Sequence, residues 1–236
     1  MMETDRTLII VPTYNERENV GSLIPQLLEV APDADIAIID DNSPDGTAEQ
    51  VHLMFGTNVR VSVFTRSVPR SFGSSLLDGY RLALERSYLR LLQLDADFSH
   101  DPKMIPAMIR ASHDADLVIG SRYCQGGRVA NWPWYRELLS RFANRYVSMI
   151  TGLEIRDSTA GFRCWTRRAL ESLLENGVAS DGYAFQVEAV FRTQRAGLRI
   201  VEIPITFTDR RAGQSKMSAK VIFESVIKPW SLRFGR

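Results

Sequence analysis

The chain has 236 residues, 44% of them hydrophobic and 24% charged, a balance that excludes a mainly disordered polypeptide. With 29 basic against 28 acidic residues the net charge is +1, so nothing global marks a nucleic-acid binder, and anion binding has to come from local clusters. Cys124 and Cys164 lie far apart without CxxC spacing, and His52, His100 and His113 form no ligand pattern beside them. This argues against zinc and a disulfide framework and fits a reducing cytosol.

In chain order, Met1 to Thr7 is acidic and polar and lacks the basic region and apolar run of a signal peptide. Short apolar runs then alternate with amphipathic segments, the pattern of successive βαβ units in a mainly parallel sheet. The predicted strands are Thr7 to Val11, Ile36 to Ile39, Val59 to Phe64, Leu89 to Leu94 and Leu117 to Ile119. Between the first two, Val20, Leu23, Ile24, Leu27 and Leu28 recur at helical spacing, with Pro25 breaking the middle of the pattern. After Arg122 a Gly- and Trp-containing stretch, Gly126 to Trp134, leads into a predicted helix from Arg136 to Ile150. No run reaches the ~18 apolar residues of a spanning helix. At the C-terminus, Val221, Ile222, Phe223, Val226, Ile227, Trp230, Leu232 and Phe234 are interleaved with Lys220, Lys228, Arg233 and Arg236. Such a basic amphipathic segment suits either an anionic membrane surface or packing on the protein's own core.

Polar residues gather just after the apolar strands, where ligands bind in open α/β sheets. The first strand runs into Pro12-Thr13-Tyr14-Asn15-Glu16 and the second into Asp40-Asp41-Asn42-Ser43-Pro44-Asp45-Gly46. Neither is a GxGxxG or Walker A loop, which disfavours a dinucleotide dehydrogenase or a P-loop phosphotransferase. Taken alone, these loops read equally as a helix cap at Asn15 and a turn over Ser43 to Gly46. The fourth strand ends in Asp95-Ala96-Asp97. Two carboxylates in this position can converge on a hard divalent cation such as Mg²⁺ or Mn²⁺, or merely cap a helix.

Together the blocks resemble a known family. The two loops above, Asp95 to Pro102 and Gly120-Ser121-Arg122-Tyr123 occur in the order and spacing of dolichol-phosphate mannosyltransferases, a branch of the inverting family-two glycosyltransferases. The likeness continues through Arg136, Ser140, Arg141 and Asn144, Asp157 to Arg163, Gly182 to Glu188 and Glu202 to Phe207, and ends with Asp209-Arg210 and Ser215-Lys216. It implies a glycosyltransferase type-A fold: a Rossmann-like, mainly parallel sheet flanked by helices, with a C-terminal amphipathic helical segment. It also implies one domain over 1–236, with a nucleotide-sugar-binding half at 1–122, an acceptor-side half at 123–216 and a membrane-surface helix at 217–236.

By the same resemblance Pro12, Tyr14, Glu16, Ile39 and Asp41 contact the nucleoside, and Asp95, Ala96 and Asp97 the diphosphate end. Asp97, with Asp95 beside it, holds Mg²⁺ or Mn²⁺. Arg122, Arg210 and Lys216 face phosphates, and Arg136, Ser140 and Arg141 join Arg122 as candidates for the acceptor phosphate. Asp97, Arg210 and Lys216 are the expected catalytic set. The implied reaction is inverting transfer of mannose from GDP-mannose to dolichyl or polyprenyl phosphate, on the cytoplasmic face of a membrane, with a membrane-anchoring partner subunit as in some relatives. One block departs from the pattern: where relatives carry a Lys and a Gly-Leu-Gly run, this chain reads Arg66-Ser67-Val68-Pro69-Arg70-Ser71-Phe72-Gly73. The departure leaves open a glucosyltransferase, or a nucleotide-sugar-binding relative without turnover. Nucleotidyl transfer, which would also use carboxylates and Mg²⁺, fits the full set of blocks less well.

Overall fold

A computed structural model describes residues 6–68, 70–209 and 219–235. The chain begins with β1 (Thr7–Thr13), α1 (Arg17–Val30), β2 (Ala34–Asp40), α2 (Thr47–Phe55), β3 (Val61–Thr65), α3 (Phe72–Glu85) and β4 (Arg90–Gln93). A single 3₁₀ turn, Pro102–Met104, leads into α4 (Ile105–Ala111), β5 (Leu117–Ser121), β6 (Arg128–Ala130) and α5 (Trp134–Thr151). Then come β7 (Arg163–Thr166), α6 (Arg167–Asn176), α7 (Gly182–Arg195), β8 (Ile200–Pro204), β9 (Thr206–Thr208) and α8 (Ala219–Phe234). Seven strands form one sheet in the order β3-β2-β1-β4-β7-β5-β8, and β6 pairs with β9 in a small parallel ribbon.

The apolar runs became strands because both faces of the sheet are covered, which removes the alternation a half-exposed strand would show. Leu8 and Ile10 point into one core with Leu76, Tyr80, Trp165 and Phe185. Ile9 and Val11 point into the other with Val20, Leu23, Ile24 and Leu27 of α1. Pro25 does not break α1: the helix is continuous and the ring lies on its exposed side, away from the packed stripe. The expected cap at Asn15 is not formed either. Asn15 takes a left-handed conformation (φ 60°) and Glu16 opens the helix.

Two features of the topology place the site. From β1 the chain first moves outward through β2 and β3 and then crosses to β4 on the other side, so the loops leaving β1 and β4 diverge and open a crevice between them. In addition β7 runs antiparallel between β4 and β5, with Arg163 opposite Gln93 and Ile119. The residues that precede β7 therefore arrive at the same sheet edge as the residues that follow β4 and β5.

Helix α3 covers β1 closely because Gly79 has no side chain: a Cβ there would meet Ile10 Cδ1 at 2.8 Å. Gly79→Ala is expected to lower stability by about 1–3 kcal/mol through overpacking. Ile10→Val in that background, which removes the clashing methyl, should recover part of the loss; thermal unfolding of the single and double variants measures both.

Candidate active site

The first two loops hold each other in place. The backbone N–H groups of Asn15, Glu16 and Arg17 donate to Ser43 Oγ (3.0 Å), Thr47 Oγ1 (3.0 Å) and Asp45 Oδ2 (3.1 Å), so side chains of the second loop cap the start of α1. Asp45 Oδ1 also accepts from the N–H of Thr47 in the first turn of α2 (3.0 Å). Buried Asp40 accepts from Thr13 Oγ1 (2.9 Å) and from Ser43 N (2.8 Å) and Oγ (2.6 Å), which ties the ends of β1 and β2 together. Asp41 is held from the other side by the buried guanidinium of Arg66, which also reaches Asp78 (2.7 Å) and Ser74.

These loops form one wall of a cleft of about 510 Å³ at the β1/β4 crevice. Pro12, Thr13, Tyr14, Glu16 and Asp41 line it on this side, and Asp95, Ala96 and Asp97 line it where β4 ends. Arg70, Ser71, Phe72 and Ser75 border it from the start of α3, and Thr159 and Gly161 from the loop before β7. Asp181, Gly182 and Gln186 complete it at the start of α7.

Asp97 is 5% exposed, and its Oδ1 accepts from Ser99 N (3.0 Å). Gly161 faces Asp95: a Cβ there would lie 3.4 Å from Asp95 Oδ2. The carbonyl of Gly161 is fixed by Gln93 Nε2 (2.9 Å), while Gln93 Oε1 accepts from Tyr80 and, at 3.3 Å, from Trp165 Nε1. Behind the carboxylates His100 is fully buried between Phe162 and Phe207. Burial pushes its pKa down to about 4, with Arg122 adding to the effect and Asp97 and Asp157 opposing it, so the ring is neutral at pH 7. It packs and does not carry charge.

In the departed block, Ser71 caps α3, its Oγ accepting from Ser74 N (3.1 Å), and the Arg70 guanidinium lies 3.7 Å from the centre of the Tyr14 ring. Gly73 is still required, since a Cβ would come within 2.9 Å of Phe185 and of Ser180 O. The N–H of Gly73 donates to Asp181 Oδ1 (2.6 Å), which joins α3 to the start of α7 across the cleft.

The expected acceptor residues form a second cluster beside the cleft. Arg122 is buried and makes a two-pronged ion pair with Asp157, Nε to Oδ2 at 2.7 Å and Nη2 to Oδ1 at 2.6 Å, and Nη2 also donates to Thr159 Oγ1 at 2.7 Å. Its guanidinium lies against the rings of Tyr123, Trp132 and Phe207. Arg136 lies 4.0 Å from the centre of the Trp132 ring and pairs with Asp209. Arg141 lies 4.6 Å from the centre of the Tyr123 ring, and Tyr123 donates to Ser140 Oγ at 2.7 Å. Asn144 ties α5 to the same loop, donating to Thr159 Oγ1 (3.2 Å) and accepting from Ser158 N (2.9 Å).

Of the residues expected from the sequence, Pro12, Tyr14, Glu16, Asp41, Asp95, Ala96 and Asp97 meet in the cleft. Ile39 is a core residue, and Arg122, Arg136, Ser140 and Arg141 occupy the neighbouring cluster. Arg210, Lys216 and Pro69 lie outside the described residues. Asp181 and Gln186 were not anticipated. Gln186 lies within the Gly182 to Glu188 block of the likeness, and a further signal is its being a polar residue set between Phe185 and Val187.

The chain belongs to glycosyl transferase family 2, whose model matches residues 8–174. It is 40% identical over 94% of its length to an undecaprenyl-phosphate mannosyltransferase of Micrococcus luteus, covering 91% of that protein. It is 42% identical over 98% of its length to a polyprenol monophosphomannose synthase of Mycolicibacterium smegmatis, covering 88% of it. Among solved structures, a mannosyltransferase from Pyrobaculum calidifontis in complex with GDP-Man and Mn²⁺ matches 98% of the chain and 70% of its own, with a TM-score of 0.63 at 13% identity. The fold is thus the glycosyltransferase type-A fold, in which the mostly parallel sheet carries one antiparallel strand, β7.

Glu188 anchors the far wall of the site. It accepts from Ser180 N (3.1 Å) and Ser180 Oγ, and pairs with Arg192 (2.6 Å) and with Lys228 of α8 (3.0 Å). Burial pushes its pKa up, but these hydrogen bonds outweigh burial and bring it from 4.5 to about 2. A carboxylate with a lowered pKa contributes stability that is complete above 4.5 and is lost as pH falls toward 2. The melting-temperature gap between wild type and Glu188→Gln should therefore be widest above pH 4.5 and close on acidification toward pH 2.

Proposed function

We propose that the protein transfers mannose from GDP-mannose to the phosphate of a polyprenyl lipid at a membrane surface. The observation that carries this reading is the junction at Thr159, which lines the cleft of Asp95 and Asp97 and also accepts from Arg122 of the arginine-aromatic cluster. A carboxylate-lined donor site and a cationic acceptor site thus share one loop. The names of the relatives supply the sugar and the lipid.

The carboxylates fit a divalent cation. Two aspartates bring hard oxygen donors to one edge of the cleft, and among the described residues no cluster of three His, Cys, Asp or Glu forms a closed metal cage. Such a pair suits a Mg²⁺ or Mn²⁺ ion that takes its remaining ligands from water and a diphosphate. The Mn²⁺ bound with GDP-Man in the Pyrobaculum calidifontis enzyme supports this assignment. Asp97, with Asp95 beside it, would hold the ion. When bound, the ion stabilises negative charge on the departing diphosphate.

The chain's own residues do the rest. Pro12, Tyr14, Glu16 and Asp41 bind the nucleoside, and the mutual capping of their loops keeps that wall rigid before the donor arrives. Arg136, Arg141 and Ser140 receive the lipid phosphate, with Arg122 behind them holding the loop that joins the two sites. In sequence Arg210 and Lys216 follow β9 and would add positive charge to the leaving diphosphate. The attacking atom is an oxygen of the lipid phosphate. Its second pKa is about 6, so it is largely ionised at neutral pH and needs no protein base. Direct in-line displacement inverts the anomeric carbon.

No helix among the described residues is long and apolar enough to cross a membrane. Instead α5 presents Trp134, Tyr135, Leu138, Leu139, Phe142 and Met149 to the outside, all more than half exposed, while Asn144, Val147 and Thr151 face inward. α8 lies against α5, where Trp230 Nε1 donates to Tyr146 OH (2.9 Å), and adds exposed Trp230 and Phe234. An apolar stripe of this kind with Arg141 and Arg145 exposed beside it suits an anionic bilayer, and it is carried on the same helix as the acceptor residues.

Incubation with GDP-mannose, Mg²⁺ or Mn²⁺ and a short polyprenyl phosphate tests the reaction. The expected product is a β-linked lipid-phosphate mannose; absence of transfer, or an α-linked product, overturns the reading. Asp97→Asn is expected to reduce turnover by about 10²-fold or more. Leu138→Glu with Phe142→Glu should abolish flotation with anionic vesicles while leaving the melting temperature close to that of wild type, because both side chains lie outside the core.

A further inference from the structure

Gln186, on the second turn of α7, is 2% exposed and belongs to the cleft lining. Neither its Nε2 nor its Oε1 has a partner within the protein. A buried primary amide with both ends unpaired is costly, and native proteins keep such groups where something else completes them.

The backbone that carries this side chain is held in place. The carbonyl of Gln186 accepts from Nη2 of Arg163 (3.0 Å), a fully buried arginine that also donates to Ser158 O (2.9 Å) and Ala160 O (2.9 Å). Arg163 thereby fixes the backbone of Gln186 against the loop that carries Thr159 and Gly161. Gly161 in turn faces Asp95. Gln186 accordingly lines the cleft beside the loop whose Gly161 faces the carboxylate end.

The chemistry of the amide narrows what completes it. An amide offers one acceptor and one donor group side by side. A phosphate oxygen only accepts and would leave Oε1 unpaired; a cation would use Oε1 and be repelled by the amino group. A pair of sugar hydroxyls, each able to donate and accept, satisfies both ends. At the carboxylate end of the cleft the group next to the diphosphate is the sugar being transferred.

We infer that Gln186 is a specificity-determining residue that reads hydroxyl groups of the transferred hexose. This rests on the glycosyl-transfer reading above and goes beyond it by assigning the sugar subsite to a named side chain.

The test compares affinities for GDP-mannose and GDP, and for UDP-glucose and UDP, in wild type, Gln186→Leu and Gln186→Glu, with Mn²⁺ present and the melting temperature recorded for each. For the donor that wild type prefers, Gln186→Leu should lose about tenfold in affinity for the nucleotide sugar, as expected for losing one or two neutral hydrogen bonds, and little for the bare nucleotide. Its melting temperature should be equal or higher, because an unpaired buried amide has been replaced by an apolar group of similar size. Gln186→Glu, which keeps the acceptor and removes the donor, should fall between the two. The inference is overturned if sugar and bare nucleotide weaken equally, if neither weakens, or if wild type gains nothing from the sugar. A wild-type preference for UDP-glucose would instead overturn the proposed donor, and the UDP-glucose to UDP ratio would then judge Gln186.

Discussion

The ion pair between Arg122 and Asp157 is the interaction on which the site depends. Both side chains are almost wholly buried, and Asp157 also accepts from the backbone N–H of Arg122 at 2.9 Å. A buried pair is tolerable only when its remaining bonding capacity is met, and breaking one by removing a partner costs about 3–5 kcal/mol. Here the surrounding bonds go to structural joints: Thr159 at the cleft, Glu202 of β8 at the backbone N–H of Asp157, and through Thr159 to Asn144 of α5. The end of β5, the loop before β7, β8 and α5 are thereby held to one geometry. The cleft and the arginine-aromatic cluster inherit their relative position from it.

This arrangement separates charge. Carboxylates gather where β4 ends, and guanidiniums gather on the α5 side, each resting on an aromatic face. Stacked arginines keep their charge and much of their donor capacity while their planes are ordered before a ligand arrives. The carboxylate end therefore calls for a cation and the guanidinium end for an anion. The apolar stripe on α5 lies on the element that also carries Arg136 and Arg141, so one helix joins the exposed apolar surface to the stacked cations.

The parallel half of the fold was legible in the sequence because β1, β2, β4 and β5 are buried on both faces, and short apolar runs separated by amphipathic helices have few other ways to pack. All five predicted strands are present, and the segments that follow the first four line the cleft. The interruption expected at Pro25 did not occur because proline on the outer side of a helix costs a hydrogen bond without disturbing the packed stripe. The cap expected at Asn15 was taken over by Ser43, Asp45 and Thr47, residues some thirty positions away, and no local pattern reports such a partner.

Residue type and order alone therefore determined the βα alternation, the placing of Asp95 and Asp97 at a strand end, and the likeness to a sugar-transferring family. Tertiary structure alone decided that β7 enters the sheet reversed, which delivers Thr159 and Gly161 to the cleft edge and seats Arg122 in a buried pair. It also decided that Gln186 faces the cleft with nothing to bond. The physical reason is the range of the forces: burial and strand propensity act on neighbours in sequence and leave a periodic trace, whereas ion pairs, close glycine contacts and unpaired amides arise between residues that meet only when the sheet closes.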